Sequence, residues 1–165
     1  MTRLPAGYPE EAFAAFAFLK DRTQLGVDDL KVLALIECYG EAFYFKLAAS
    51  VSLPEAQALL RRNGQEERGH AHRVLKAIRL KSGEAYELPA DGDNPFIRNL
   101  PAEVPCDAGI ISALETGEAD GDLTYQVWAD NESNAEIAEL LRQNGREESR
   151  HGQRATEVRR LLASV

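Results

Sequence analysis

The chain has 165 residues, a net charge of −8 and an isoelectric point of about 5.0. That length suits one domain (residues 1–165) with a sizeable core, and the acidic balance gives no electrostatic support for a nucleic-acid partner. No run suits a signal peptide or a membrane span, and Cys38 and Cys106 form neither a CxxC pair nor a disulfide framework, so a protein of a reducing cytoplasm is expected.

Residues 1–27 read as a short N-terminal helix and a linker. Pro9–Leu19, PEEAFAAFAFL, opens with a proline and two acids, which suits a helix N-terminus. Phe13, Phe16 and Leu19 share a face that would cover an end or side of a larger bundle. The polar face lacks the basic residues of a membrane-surface helix. Gly26 punctuates, and Asp28 or Asp29 can cap the next helix.

Residues 28–83 read as a helical hairpin. Its first helix is expected over about Leu30–Ala49, where the face around Glu41 collects Ala34, Glu37, Cys38, Phe45 and Ala48. Acids on such a stripe are abnormal for an ordinary core. The second helix is expected from a cap at Ser52 to about Lys81, ending at Ser82-Gly83. Leu60, Gly64, Glu67, His70, Ala71 and Val74 fall on its inner face.

Residues 84–105 carry Pro89, Pro95, Pro101 and Pro105, which predicts a connection with little regular structure. About twenty extended residues reach roughly 70 Å. A bundle helix of about 25 residues is only about 38 Å long, so the segment can cross the whole bundle. A second hairpin follows at 106–165, with helices over about Ala108–Ala129 and from Ser133 to about Leu162. Ile111, Leu114, Glu115, Glu118, Asp122 and Tyr125 line one face of the first. Leu141, Gly145, Glu148, His151 and Ala155 line the second.

The two hairpins repeat one another. Leu59–Arg73, LLRRNGQEERGHAHR, returns 81 residues later as Leu140–Arg154, LLRQNGREESRHGQR, and 11 of 22 positions agree across Ser52–Arg73 and Ser133–Arg154. Shared positions include Glu67-x-x-His70 with Glu148-x-x-His151, and a Ser-x-x-Glu capping box at Ser52/Glu55 and Ser133/Glu136. Upstream, Gly40-Glu41-Ala42 matches Gly117-Glu118-Ala119 at an offset of 77. On that pairing the second hairpin should be about one helical turn longer than the first.

Residues three apart on a helix project from the same side, so a Glu and a His at that spacing can grip one ion together. Two such helices, with one Glu from each remaining helix, supply four carboxylates and two imidazoles. The expected ligands are Glu41, Glu67, His70, Glu118, Glu148 and His151. Their charge would balance two divalent cations, and the donor set suits iron or manganese, with zinc possible. Glu37, Glu115 and Asp122 lie one turn away, as extra ligands or neighbours of the site. Glu66 and Glu147 read as solvated and His72 as exposed. Gly64 and Gly145, costly inside helices, mark close packing. For Tyr44, Tyr125 and Trp128 core packing is the simple reading, with hydrogen-bond or radical roles as the alternative.

The set Gly40-Glu41-Ala42, Glu67-x-x-His70, Gly117-Glu118-Ala119 and Glu148-x-x-His151 resembles the ferritin-like superfamily, most closely the erythrin-type bundle of rubrerythrins, over about Leu30–Leu162. The resemblance implies an all-α four-helix bundle with one long crossover, two iron ions held by the six residues above, and redox chemistry on peroxide or dioxygen. Ferrous iron oxidation or storage in an oligomer, a dimanganese catalase and a metal-stabilised structural bundle are the alternatives. Two departures stand out. Rubrerythrins usually carry a further Glu where this chain has Gly121, and Glu115-x-x-Glu118 offers that spacing one turn earlier. They also commonly carry a rubredoxin-like centre with two CxxC pairs, absent here, so a separate electron donor is implied. A homodimer is expected.

Overall fold

The computed structural model describes residues 2–164 and is helical, with no strand among them. The helices are α1 (Ala12–Lys20), α2 (Val27–Ser50), α3 (Pro54–Ser82), the single turn α4 (Pro95–Arg98), α5 (Ala108–Asp130) and α6 (Ala135–Leu162). None is long and apolar enough to cross a membrane.

Their ends follow local chemistry, with small corrections to the sequence expectations. The Ser-x-x-Glu boxes do not form the caps. Pro54, with no N–H to satisfy, takes the first position of α3 and leaves Leu53 as cap. Asn134, beside Ser133, caps α6 by accepting from the amides of Glu136 and Ile137. Asp29 reaches back to accept from the Gly26 N–H at 2.7 Å, and Asp107 caps α5. Gly83, at φ 77°, ends α3 in the left-handed region.

Helices α2 and α3 form one antiparallel hairpin and α5 and α6 the other. Across the centre α3 and α6 run antiparallel: Asn63 Nδ2 donates to the His151 carbonyl at 3.2 Å and Asn144 Nδ2 to the His70 carbonyl at 3.4 Å. The crossover follows α2 along its length. Asn94 Nδ2 donates to the Leu35 carbonyl, and eleven residues further along α2 Lys46 Nζ donates to the carbonyl of Ala102. At 1.5 Å per residue that is about 16 Å of travel, which carries the chain to the far end before α5 begins. This is the one-crossover topology of a ferritin-like bundle.

Two apolar clusters sit above and below a polar layer. Leu30, Leu33, Val74, Ile78, Trp128, Ile137 and Leu141 belong to one, and Tyr44, Leu47, Leu60, Ile111 and Val158 to the other. Helix α1 caps the first cluster through Ala12, Ala15 and Leu19. The expected Phe13–Phe16–Leu19 face is therefore rotated: Phe13 is 61% exposed, its ring edge against Tyr39 and Phe43. A helix apolar nearly all round carries little signal of which side is buried.

Gly64 and Gly145 serve close packing within each hairpin. A Cβ at Gly145 would lie 2.8 Å from Asp122 Oδ1 and 3.0 Å from Tyr125 Cβ, and one at Gly64 2.9 Å from Phe45. Gly145→Ala should destabilise the protein by about 1–3 kcal/mol through overpacking. Gly117→Ala, where a Cβ meets nothing within 4 Å, should instead stabilise by about 0.5–1 kcal/mol. Urea unfolding of the pair reads the difference.

Candidate metal centre

The polar layer between the clusters is built twice, at a constant offset of 81. The pairs are Glu37/Glu118, Tyr44/Tyr125, Asn63/Asn144, Glu66/Glu147, Glu67/Glu148, His70/His151 and Arg73/Arg154. Two groups of buried side chains converge: Glu37, Glu67, His70 and Glu148, and Glu67, Glu118, Glu148 and His151, the donor atoms of each group lying within 4.8 Å of one another. Glu67 and Glu148 belong to both.

The sharing is explicit in the oxygens. His70 Nδ1 lies 3.6 Å from Glu67 Oε2 and 3.3 Å from Glu148 Oε1, while His151 Nδ1 lies 3.3 Å from Glu67 Oε1 and 3.3 Å from Glu148 Oε2. Each of these carboxylates turns one oxygen to each imidazole. Glu37 Oε2 approaches only His70 Nδ1, at 3.3 Å, and Glu118 Oε2 only His151 Nδ1, at 3.8 Å. The imidazole rings stack between them with centroids 5.2 Å apart.

Both Nδ1 atoms are buried without a hydrogen-bond partner. A buried polar atom left so demands an explanation, and the donor set supplies it. Around the two Nδ1 atoms four of the six donor spacings are 3.3 Å and the others 3.6 and 3.8 Å, at or a few tenths of an ångström above the edges of about 3.0–3.4 Å in a coordination polyhedron with bonds of about 2.1 Å. Oxygen and imidazole donors together suit iron, manganese or zinc.

Behind each imidazole stands a support from the other hairpin. His70 Nε2 lies 3.1 Å from Glu147 Oε2, and His151 Nε2 lies 3.2 Å from Glu66 Oε2. Burial opposes ionisation of both glutamates, but the imidazole and arginine contacts win and hold their carboxyls below the usual range. An ionised carboxylate can only accept, so Nε2 must donate, which aims the Nδ1 lone pair at the centre. Arg154 braces Glu66 at 2.7 and 3.0 Å and Asn63 at 2.9 Å; Arg73 pairs in the same way with Glu147 and Asn144. The supports cross, so each hairpin orients the other's histidine.

Tyrosines brace the outer carboxylates. Tyr125 Oη donates to Glu37 and Tyr44 Oη to Glu118. Burial first, then the charge of the carboxylate each faces, raises both phenols well above their ordinary value, so they stay neutral donors. Glycines clear the floor: a Cβ at Gly40 would press 3.0 Å from the Glu67 carboxyl, and one at Gly121 would touch Glu148 at 3.4 Å.

The structure brings together Glu67, His70, Glu118, Glu148 and His151 as expected, and corrects the sixth residue. Glu41 lies outside the cluster and pairs with Arg68; Glu37 takes its place. Glu41 and Asp122 are equivalent under the 81 offset, and Asp122 likewise turns outward, to Ser149 and Gln126. The expected offset of 77 was a helical-turn error: Gly-Glu-Ala matched by chance four residues out of register. Glu37 to Glu67 and Glu118 to Glu148 both span 30 positions, so the hairpins are equal and the expected extra turn disappears. Glu115 is bound to Arg159 at 3.1 Å, away from the centre. His72 is exposed. Glu66 and Glu147, expected to be solvated, are the histidine supports. Their identity in both repeats, with Asn63/Asn144 and Arg73/Arg154, was the available signal.

The charges imply a proton exchange. Desolvation drives the Glu37 pKa up to about 8 and, with the charge of Glu148, raises Glu118 well above the carboxylate range. Glu148 is held well below it, against burial, by the charge of His70 and the closeness of both imidazoles. Both imidazoles resist burial and are raised by the surrounding carboxylates. A cation must therefore compete with protons for Glu37, Glu118 and the two imidazoles. Zinc binding to metal-free protein should release protons and strengthen as pH rises toward about 8. Calorimetry in buffers of different ionisation enthalpy measures this.

A ferritin-like bundle whose core holds two carboxylate–histidine groups with two shared glutamates is compatible with binding a metal-ion pair. Residues 30–159 match the family model described as Rubrerythrin, and the chain belongs to that family. No curated protein and no solved structure matches it.

Proposed function

We propose that this protein is a di-iron redox enzyme acting on peroxide or dioxygen, with a separate electron donor. The observation that carries the reading is the double facing of Glu67 and Glu148, whose two oxygens address the two imidazoles separately. Glu67 and Glu148 would be held in common by both ions, Glu37 and His70 would complete one position, and Glu118 and His151 the other. When bound, an iron pair supplies one electron per ion, the two that cleavage of an O–O bond requires.

The chain's own groups serve that chemistry. Glu66 and Glu147 fix the imidazole tautomer and direction, while the Tyr44 and Tyr125 hydroxyls hold Glu118 and Glu37 and keep a proton beside each carboxylate. The four site carboxylates, Glu37, Glu67, Glu118 and Glu148, all border a cleft through which a small oxidant can enter. Free Cys38 and Cys106 fit a reducing cytoplasm.

Protein purified without added metal should carry iron by elemental analysis. Loaded anaerobically with ferrous iron, it should consume one peroxide per two irons, with two protons and two electrons converting H2O2 to two waters. Zinc alone in the purified protein, or iron oxidation without matching peroxide loss, contradicts the proposal. Large iron-filled shells on size exclusion would instead mark a storage protein.

A further inference from the structure

The entry to the site is far larger than peroxide or dioxygen needs. A cleft of about 470 Å³ opens between α2 and α5, partly roofed by α1. One water's share of liquid volume is about 30 Å³, whereas pockets for organic ligands run from about 300 to 1,000 Å³. The walls are apolar: Phe16, Ile36, Tyr39, Phe43, Ile110 and Leu114. At the inner end stand Glu37, Glu67, Glu118 and Glu148, so the space is continuous with the candidate metal centre. Its small-residue side, at Gly117, leaves room that a side chain would take: a Cβ there meets nothing within 4 Å.

The charges decide what can fit. The lining holds one cation, Lys20, and it is already paired with Asp120 of the opposite wall at 2.9 Å. An anionic ligand would have to break that pair, because the lining offers it no other cation. A cationic ligand would compete with the metals for the same oxygens. Apolar walls reward neither.

We infer that this cleft is a binding site for an uncharged, apolar organic molecule, seated between α1, α2 and α5 with one end at Glu37 and Glu118. The role of that molecule as a substrate rests on the proposed redox function; its binding does not. Peroxide or dioxygen would then share the inner end with the organic ligand.

The neutral fluorophore N-phenyl-1-naphthylamine, titrated into the full protein in metal-free and zinc-loaded forms, tests the site. Saturable binding is expected, weakened by about tenfold or more in Ala113→Phe and in Gly117→Leu, both of which add bulk to the cleft wall on α5 and leave the site carboxylates and histidines themselves unchanged. Zinc content should not change in either variant. If Ala113→Phe fails to fold, Gly117→Leu, at a position with open space, keeps the test decisive. Decan-1-ol should displace the probe at lower concentration than decanoate. Absence of saturable binding, equal binding by both folded variants, or better displacement by decanoate would overturn the inference. Probe binding by a protein that takes up no metal would sink the redox proposal and leave this site standing.

Discussion

Glu148→Gln should empty both metal positions, taking zinc or iron content from two ions per chain to near none. Glu67→Gln should do the same, because each side chain turns one oxygen to His70 and the other to His151. Substitution of a carboxylate that serves one position has a smaller effect. Glu37→Gln should lose the ion beside His70 and keep the one beside His151, and Glu118→Gln the reverse. Glu41→Gln, whose carboxylate pairs with Arg68 outside the cluster, should leave both ions in place. Glutamine preserves volume in a closely packed core, so metal content measured on folded protein isolates the ligand effect. Equal metal loss in the Glu41 and Glu37 variants would contradict the assignment.

The second large effect is expected from residues that touch no metal. Glu147→Gln should weaken the ion at His70, and Glu66→Gln the ion at His151, each by about 10- to 100-fold in affinity. The cause is loss of the charge that fixes Nε2–H as donor and Nδ1 as ligand. Because the supports cross between hairpins, the affected position is on the opposite hairpin from the substitution. Glu139→Gln, on an exposed residue paired with Arg146, is the control expected to have no effect. Stepwise zinc titration against a competing chelator resolves the two positions. Uniform weakening of both ions by either substitution would show that the supports act on the fold and not on one histidine.

Much of this was legible in the residues themselves. The helix pairs, the proline-rich crossover and the two Glu-x-x-His motifs follow from periodicity and from an internal repeat with identical chemistry. What failed was register upstream of the repeat. Identity there is low, and Gly-Glu-Ala at Gly40 and Gly117 offered a better literal match than the true pairs, Glu37 with Glu118 and Glu41 with Asp122. A four-residue slip keeps a helix facing within about 40°, since four residues turn it by about 400°, so periodicity alone could not detect it. The equal spacing of 30 in both hairpins is the stricter criterion. The roles of Glu66 and Glu147 are hidden in the sequence for another reason. One position from a ligand on a helix points about 100° away, which is outward in one hairpin but toward the facing helix once α3 and α6 pack. The aromatic residues of α1 gave no facing signal because the helix has almost no polar side.

The central claim, two ions held between His70 and His151, is tested most directly by anomalous diffraction from crystals of the iron-loaded protein. Two peaks about 3.5–4 Å apart, one beside each Nδ1 and both in contact with Glu67 and Glu148, are the predicted result. A single peak, or density beside Glu41 and Asp122 with the two imidazoles left bare, would contradict it.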